Sequence, residues 1–379
     1  NGNSIIASAS LTLRFTQWIQ EAYLKAPNAE AGDAFGESVS ISGDTMVVGA
    51  SEESGNQTTI TNGTLVTSNN LQSNSGAAYV FKRTGNIWVN EAYLKAPNAE
   101  ASDQFGESVS ISGDTIVVGA YWEDSNQTTI TNGTLLSSNN LATSSGAAYV
   151  FKRTDSTWVN EAYLKAPNAG VNDTFGNSVS ISNDTIVVGA AGEASNQTTI
   201  TNGTTASSDN SASFSGAAYV FKRTDSTWTN EAFLKAPNAG ASDVFGDIGI
   251  SINDDTIVVG ATREASNQTT ITNGTTASLN NSATDSGAAY VFRRNGSIWV
   301  NEAYLKAPNA GASDKFGHSA SISGDTIVIG AIGEASNQTT ITNGTLSSSN
   351  NLASNSGAAY VFKRAGSTWI NEAFLKAPN

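Results

Sequence analysis

Read for the alternation of apolar and polar positions, the chain resolves into short strands. "SVSIS" alternates with period two, "TIVVGA" and "AAYVF" are short apolar runs rich in β-branched and aromatic residues, and "WVNEAYLKA" is longer and amphipathic. These are the patterns of half-buried and buried β-strands. Two-residue "GD" or "ND" links join the first two runs, the length that selects a tight hairpin. The fourth run ends at Pro97 and its equivalents, where a missing N–H stops a ladder. "PNAEASD" then supplies turn chemistry. No stretch carries the periodicity of an amphipathic helix.

The four strands recur. Aligned on "FG", units begin at Phe35, Phe105, Phe175, Phe245 and Phe316, spaced by 70, 70, 70 and 71 residues, with the extra residue in "GDIGISINDDT" of the fourth. Four antiparallel strands at a fixed period predict an all-β fold, a five-bladed β-propeller of four-stranded antiparallel blades. A β-solenoid is the alternative, though its repeat is usually much shorter. The units span about 29–98, 99–168, 169–238, 239–309 and 310–379. Residues 15–28 make a surplus or closing outer strand, and residues 1–14 an N-terminal arm. One four-stranded sheet cannot bury both faces, so blades must stack, with the Phe of "FG" and the Tyr of "AAYVF" expected between them. Deleting such a ring costs about 3–5 kcal/mol. The glycines of "VVGA" and "GAA" suit close backbone approach.

Between the second and third strands each unit inserts a polar stretch whose core, "NQTTITNGT", is identical in all five copies. Asn-Gly after "TTIT" predicts a Thr-rich β-hairpin projecting from each blade. The neighbouring "SSNNLATS" region has drifted, so the identity records either recent duplication or a structural or contact role. The same stretch holds paired N-x-T sequons at Asn56 and Asn62, Asn126 and Asn132, Asn196 and Asn202, Asn267 and Asn273, and Asn337 and Asn343. In a secreted protein from a glycosylating host these are candidate acceptors.

The ordered phrases "FG…GDTIVVGA…SGAAYVF" resemble the FG-GAP repeat of bacterial surface proteins, a relative of the integrin α-subunit propeller, over roughly Phe15 to Asn379. The resemblance implies a propeller on an extracellular or cell-surface protein. Calcium-binding members carry a D-x-D-x-D-G loop between the first two strands. This chain has only Gly43-Asp44, Gly113-Asp114, Asn183-Asp184, Asn253-Asp254-Asp255 and Gly324-Asp325 there. One or two carboxylates cannot supply the six to eight oxygens calcium takes, so the calcium sites are not carried over.

Composition narrows the chemistry. A formal net charge of −14 argues against nucleic acid as a partner, since phosphate binding needs clustered Lys and Arg. No apolar run reaches the ~20 residues of a membrane span. There is no cysteine and one histidine, His318, so Cys–His and Ser–His–Asp catalysis are not expected. Nor is a metal site or a cofactor. Two acidic columns remain. Asp33, Asp103, Asp173, Asp243 and Asp314 precede each "FG", and read as turn caps. Glu53, Glu123, Glu193, Glu264 and Glu334 follow each "GA", and read as solvated loop charges, with a weak cation site as the alternative. Five near-identical units give equivalent environments, whereas an active site needs one asymmetric constellation. The unit-specific features are few: Tyr121-Trp122, Arg263 and His318. No enzyme is expected.

The ends carry the remaining signal. "WINEAFLKAPN" closes the chain and "WIQEAYLKAPN" occupies 18–28, so this phrase occurs six times where every other occurs five. One outer strand is surplus, and ahead of it "IIASASLTLRF" places Ala7, Ala9, Leu11, Leu13 and Phe15 on one face. A free amphipathic strand tends to add to another sheet, and head-to-tail addition that does not close makes a filament. The sequence therefore predicts a structural protein that self-assembles with copies of itself through its ends. The expected contact residues are those five with Trp18, Trp369, Phe374 and Leu375. A lectin-like or adhesive module, with surface glycans as partner, is the alternative. The absence of an initiating Met at Asn1 reads as processing and favours secretion.

Overall fold

The computed structural model describes residues 19–64, 69–134, 139–345, 347–348 and 350–378. In blade I, β1 (Val39–Ser42) and β2 (Thr45–Ala50) form the hairpin the "GD" link predicts. β4 (Ala77–Thr84) pairs with β2, and β5 (Ile87–Leu94) pairs with β4. Between them in sequence, the two-residue β3 (Thr61–Asn62) joins the outer edge of β5, giving the sheet order β1-β2-β4-β5-β3. The same order recurs in blade II (109–164), blade III (175–234), blade IV (245–305) and blade V (316–375). The chain is thus all-β, a five-bladed propeller of antiparallel blades with four long strands each.

The inserted stretch differs from the expected hairpin. In blades III and IV, where it is described throughout, the residues after the Asn-Gly pair form no strand, and Thr201–Asn202 and Thr272–Asn273 pair only with the outer strand of their own blade. Ile60 and its equivalents explain why: each packs on the core between its blade and the next. Joining the sheet edge buries that side chain and satisfies the edge. A polar hairpin standing in water would do neither.

Each blade has two unlike faces. One is aromatic: in blade II, Phe105, Tyr149, Phe151, Trp158 and Tyr163. Phe105 meets Tyr149 edge-on at 5.3 Å and Phe151 at 5.9 Å, the arrangement ring quadrupoles favour. The other face is small and aliphatic: in blade I, Val47, Ala78, Val80, Ala92 and Leu94. The aromatic face of each blade packs on the aliphatic face of the blade before it, four times over. The extra residue of the fourth unit is absorbed as a register shift between Phe245 and Ile250, without disturbing the strand that follows.

Candidate functional site

The interface between consecutive blades is the most elaborate construction in the molecule, and four groups build it. The first is backbone. Gly76 pairs with Phe105 in a short parallel bridge, and the same bridge joins Gly146 to Phe175, Gly216 to Phe245 and Gly287 to Phe316. Gly76 has a φ of 78°, and a Cβ there would lie 2.0 Å from the Phe105 carbonyl oxygen. Only glycine fits. This accounts for the invariant "SGAA".

The second is an amide clamp. Asn62, in β3, accepts a hydrogen bond from the Trp158 N–H at 2.7 Å and donates to the Trp158 carbonyl at 3.2 Å, side chain imitating a neighbouring strand. Asn132 grips Trp228, Asn202 grips Trp299 and Asn273 grips Trp369 in the same way. Asn202→Ala is expected to lose about 1–2 kcal/mol, for two part-buried bonds, whereas Asn343→Ala, whose amide has no such partner among the described residues, is expected to lose almost none. Urea denaturation of the two variants is the check.

The third is an ionic latch. The outer strand carries a β-bulge at Glu91, since Asn90 pairs with Phe81 and Ala92 with Val80. A bulge re-aims the residue it frees. Glu91 reaches to blade II, accepting from Arg153 Nη1 at 3.1 Å and from Trp158 Nε1 at 3.0 Å, with the Arg153 guanidinium 5.3 Å from the Trp158 ring centre. Glu161, Glu231 and Glu302 repeat this toward blades III, IV and V. The sequence offered no sign of this role, because a bulge depends on the register of two strands.

The fourth corrects the sequence reading of the Glu column. These residues are not solvated: Glu193 is buried, and Lys235 of the "LKAP" phrase donates to it at 2.9 Å, to Ser215 Oγ at 2.8 Å and to the Gly216 carbonyl at 2.6 Å. Three acceptors meet the three donors of an ammonium. Lys95, Lys165, Lys306 and Lys376 are held identically. The carboxylates are thereby occupied and offer no cation site. An Asn from the preceding turn completes each group: Asn168 donates to Glu193 at 3.3 Å and accepts from Tyr219 OH at 2.7 Å.

The Asp column does cap turns, as the sequence suggests. Asp103 accepts the Glu100 N–H at 2.8 Å, and Asp173, Asp243 and Asp314 accept equivalent amides at 2.7 Å. Burial raises these carboxyls, Asp173 and Asp314 to about 6, Asp243 to about 7 and Asp103 to about 8. A raised acid stabilises the fold fully below its unfolded value near 4, and this is lost as pH rises through the folded values. Stability is therefore expected to fall between pH 5 and pH 8. The buried lysines, whose ammoniums burial lowers, contribute with opposite sign. The diagnostic readout is thus Asp103→Asn, which keeps the cap and is expected to flatten the slope measured by denaturation at each pH.

The interface has two open ends. Consecutive blades pack in sequence, but among the described residues no core joins blade V to blade I. On the aromatic side of blade I, Val39 and Ile41 are 63% and 57% exposed, whereas Val109 and Ile111 are buried. Trp88 is half-buried where Trp158, Trp228, Trp299 and Trp369 are buried. On the aliphatic side of blade V, Val328 is 37% exposed and Ala359, Val361 and Leu375 are partly so, while their counterparts in blades I to IV are wholly buried. Gly357 finds nothing nearer than 3.7 Å around a Cβ, and Gly36 finds nothing within 4 Å. Glu372 is exposed and makes no ion pair among the described residues.

The terminal residues expected to make contacts divide. Ala7, Ala9, Leu11, Leu13, Phe15 and Trp18 lie outside the described residues. Trp369 and Phe374 are buried on the blade IV side, so their rings face inward; Leu375 lies on the open face. Of the sequons, Asn56, Asn126, Asn196, Asn267 and Asn337 are exposed, while Asn62, Asn132, Asn202 and Asn273 are committed to the clamp.

At one end of the inner strands, Glu37, Glu107, Asn177 and Asp247 line a cavity of about 410 Å³. Burial, with the Glu37 charge, raises Glu107 to about 7, and Asn177 donates to Asp247 at 2.8 Å. Tyr121 stands beside Glu107 and Glu37, and its ring lies 5.2 Å from that of Trp122. No group of three or more His, Cys, Asp or Glu suited to a metal ion occurs among the described residues, nor is any described helix long and apolar enough to cross a membrane.

Comparison with known proteins gives a family. No curated protein matches the chain. Seventy-eight chains of solved structure do. One of them comes from a structural and mechanistic study of two prolyl endopeptidases, and matches over 86% of this chain and 39% of that one, at a TM-score of 0.35 and 8% identity. The FG-GAP repeat model matches residues 18–81, 88–151, 158–221, 228–292 and 299–362, each match running from a tryptophan of the recurring "W…NEA" or "W…QEA" phrase to the "VF" of the third strand. The chain belongs to the FG-GAP repeat family.

Proposed function

We propose that this is a non-enzymatic extracellular structural protein that assembles head to tail, the aliphatic face of blade V in one copy seating on the aromatic face of blade I in the next. One observation carries the reading: the two open faces carry the same side chains as the two sides of an interface the chain builds four times internally. Each half has the groups the other lacks. Blade V offers Glu372, Asn343 and an aliphatic sheet, and blade I offers Arg83, Trp88 and an aromatic one. The sequence places assembly in donated terminal strands; blade stacking through the same two ends is the form proposed instead. Repetition of one heterologous contact gives a filament or, if the rotation closes, a ring.

Sedimentation velocity over a range of concentrations, with electron microscopy of the same samples, tests this. The wild type is expected to form end-on oligomers and Glu372→Lys to remain a monomer. A monomer at every concentration for the wild type would defeat the proposal.

A second reading has one observation in its favour. Equivalent grooves of about 300, 280 and 430 Å³ lie at the junctions of blades II/III, III/IV and IV/V, each walled by the invariant threonine pair, an Ile and a Pro. Repeated grooves of equivalent lining suit weak multivalent glycan binding, and glycan-array binding lost on replacing Thr129, Thr199 and Thr270 would favour it.

A further inference from the structure

The inference concerns residues 19–28 and rests on the assembly reading. This segment repeats the outer-strand phrase, yet among the described residues it pairs with no blade. In the four internal interfaces the equivalent segment is the outer strand and turn of the preceding blade. There Glu91 takes Arg153, Asn98 donates to Glu123 at 3.2 Å, and Tyr149 OH donates to Asn98 at 2.7 Å. Against blade I, residues 19–28 reproduce these contacts one for one. Arg83 Nη1 donates to Glu21 at 3.2 Å, Asn28 to Glu53 at 3.2 Å, and Tyr79 OH to Asn28 at 2.7 Å. Leu24 and Ala26 cover part of the aromatic face, beside Tyr79 and Phe81.

The copy is incomplete. Residues 19–28 form no strand, and Ile19 and Tyr23 are 80% and 78% exposed, whereas Tyr93, the counterpart of Tyr23, is wholly buried. The reason is that no sheet stands behind the segment. Among the described residues it has no blade to pair with, no clamp for Trp88 and no aliphatic face for Val39 and Ile41. The other end of the chain is the reverse case. Thr368–Leu375 is a full strand backed by blade V, and the bulge leaves Glu372 without an arginine. Both segments carry the carboxylate that Arg83 receives, and one Arg83 can receive only one of them.

We infer that residues 19–28 are a placeholder, covering the blade I face of each free copy and displaced when the outer strand of a second copy's blade V arrives. The incoming segment brings Glu372 to Arg83, the ionic contact that Glu21 makes in the free copy. It also brings Asn343 to Trp88, and Val328, Val361 and Leu375 to the exposed side chains of β1. The exchange therefore replaces the ion pair and adds the apolar burial the placeholder cannot supply. The placeholder keeps free copies apart at low concentration and sets the threshold for growth. Charge complementarity decides the occupant: the face presents one guanidinium to a bulged carboxylate, and the chain's own open end carries that carboxylate.

The test uses the full chain in three forms: wild type, Glu21→Lys, which loosens only the placeholder, and Glu372→Lys, which disables only the arriving strand. Glu21→Lys is expected to lower the concentration at half-assembly by about two- to fivefold, the scale of one partly exposed ion pair. Trypsin reports displacement independently. Cleavage after Lys25 is expected to be faster in assembled wild type than in Glu372→Lys, which keeps its placeholder docked. If the wild type assembles but Glu21→Lys leaves its threshold unchanged and Lys25 is cut equally in both states, the placeholder is refuted while assembly stands. If neither the wild type nor Glu21→Lys assembles at any concentration, both readings fall.

Discussion

Gly216→Ala is expected to disrupt the junction of blades III and IV, while the matched Gly357→Ala leaves the free chain folded and abolishes assembly. Gly216 has a φ of 77°, and a Cβ on it would lie 2.1 Å from the Phe245 carbonyl oxygen and 2.4 Å from its nitrogen. Neither atom can move without breaking the bridge between blades. The expected loss is about 3–5 kcal/mol, from overpacking against backbone and from the left-handed φ. Gly357 has the same backbone conformation, with a φ of 71°, but open space around it. Alanine there costs the free chain only the conformational term of about 1–2 kcal/mol. A methyl group at that position would nevertheless meet the Phe35 backbone of an arriving blade I, if the fifth interface copies the other four. Urea denaturation separates the two effects on stability, and sedimentation reads the effect on assembly.

Lys235→Met is expected to cost about 3–5 kcal/mol, the usual loss when one member of a buried pair is removed and the other stays charged. The methionine fills the channel but leaves Glu193 buried with no cation, and strands Ser215 Oγ and the Gly216 carbonyl. Because Asn168 ties Glu193 to the preceding turn, the damage should spread to the junction with blade II. Adding Glu193→Gln removes the uncompensated charge and is expected to recover a large part of the loss, a coupling of about 1–3 kcal/mol in a double-mutant cycle. Equal losses for the single and double variants would mean that packing, not charge pairing, is what Lys235 supplies.

Much of the fold was legible because strand patterning is local. "SVSIS", "TIVVGA", "AAYVF" and "WVNEAYLKA" each carry their own periodicity, and a fixed repeat multiplies a local signal by five. The Phe of "FG" and the Tyr of "AAYVF" lie between blades as expected. What failed were features set by distant partners. "NQTTITNGT" has the local grammar of a hairpin, yet Ile60 and Asn62 serve the next blade, and no local rule reports that. The Glu column reads as loop charge because its lysine lies about forty residues downstream. A signal was present, since Glu, Lys, Ser and Asn recur in every unit at constant offsets, but only a three-dimensional register makes them one group. Glu91 was invisible for the same reason. The surplus copy at 18–28 was countable from sequence; that it copies the contacts of a preceding blade required seeing Glu21 on Arg83 and Asn28 on Tyr79.

The central claim is that the open faces of blades V and I are halves of one interface. In the internal interfaces Val47 and Ile111 share one core, so the fifth interface would bring Val328 of one copy to Ile41 of another. The chain contains no cysteine, which makes Ile41→Cys and Val328→Cys clean single reporters. Each variant alone, and an equal mixture of the two, is oxidised gently and resolved by mass. The account predicts disulfide-linked dimers in the mixture far in excess of those from either variant alone. Equal yields in all three samples would contradict it.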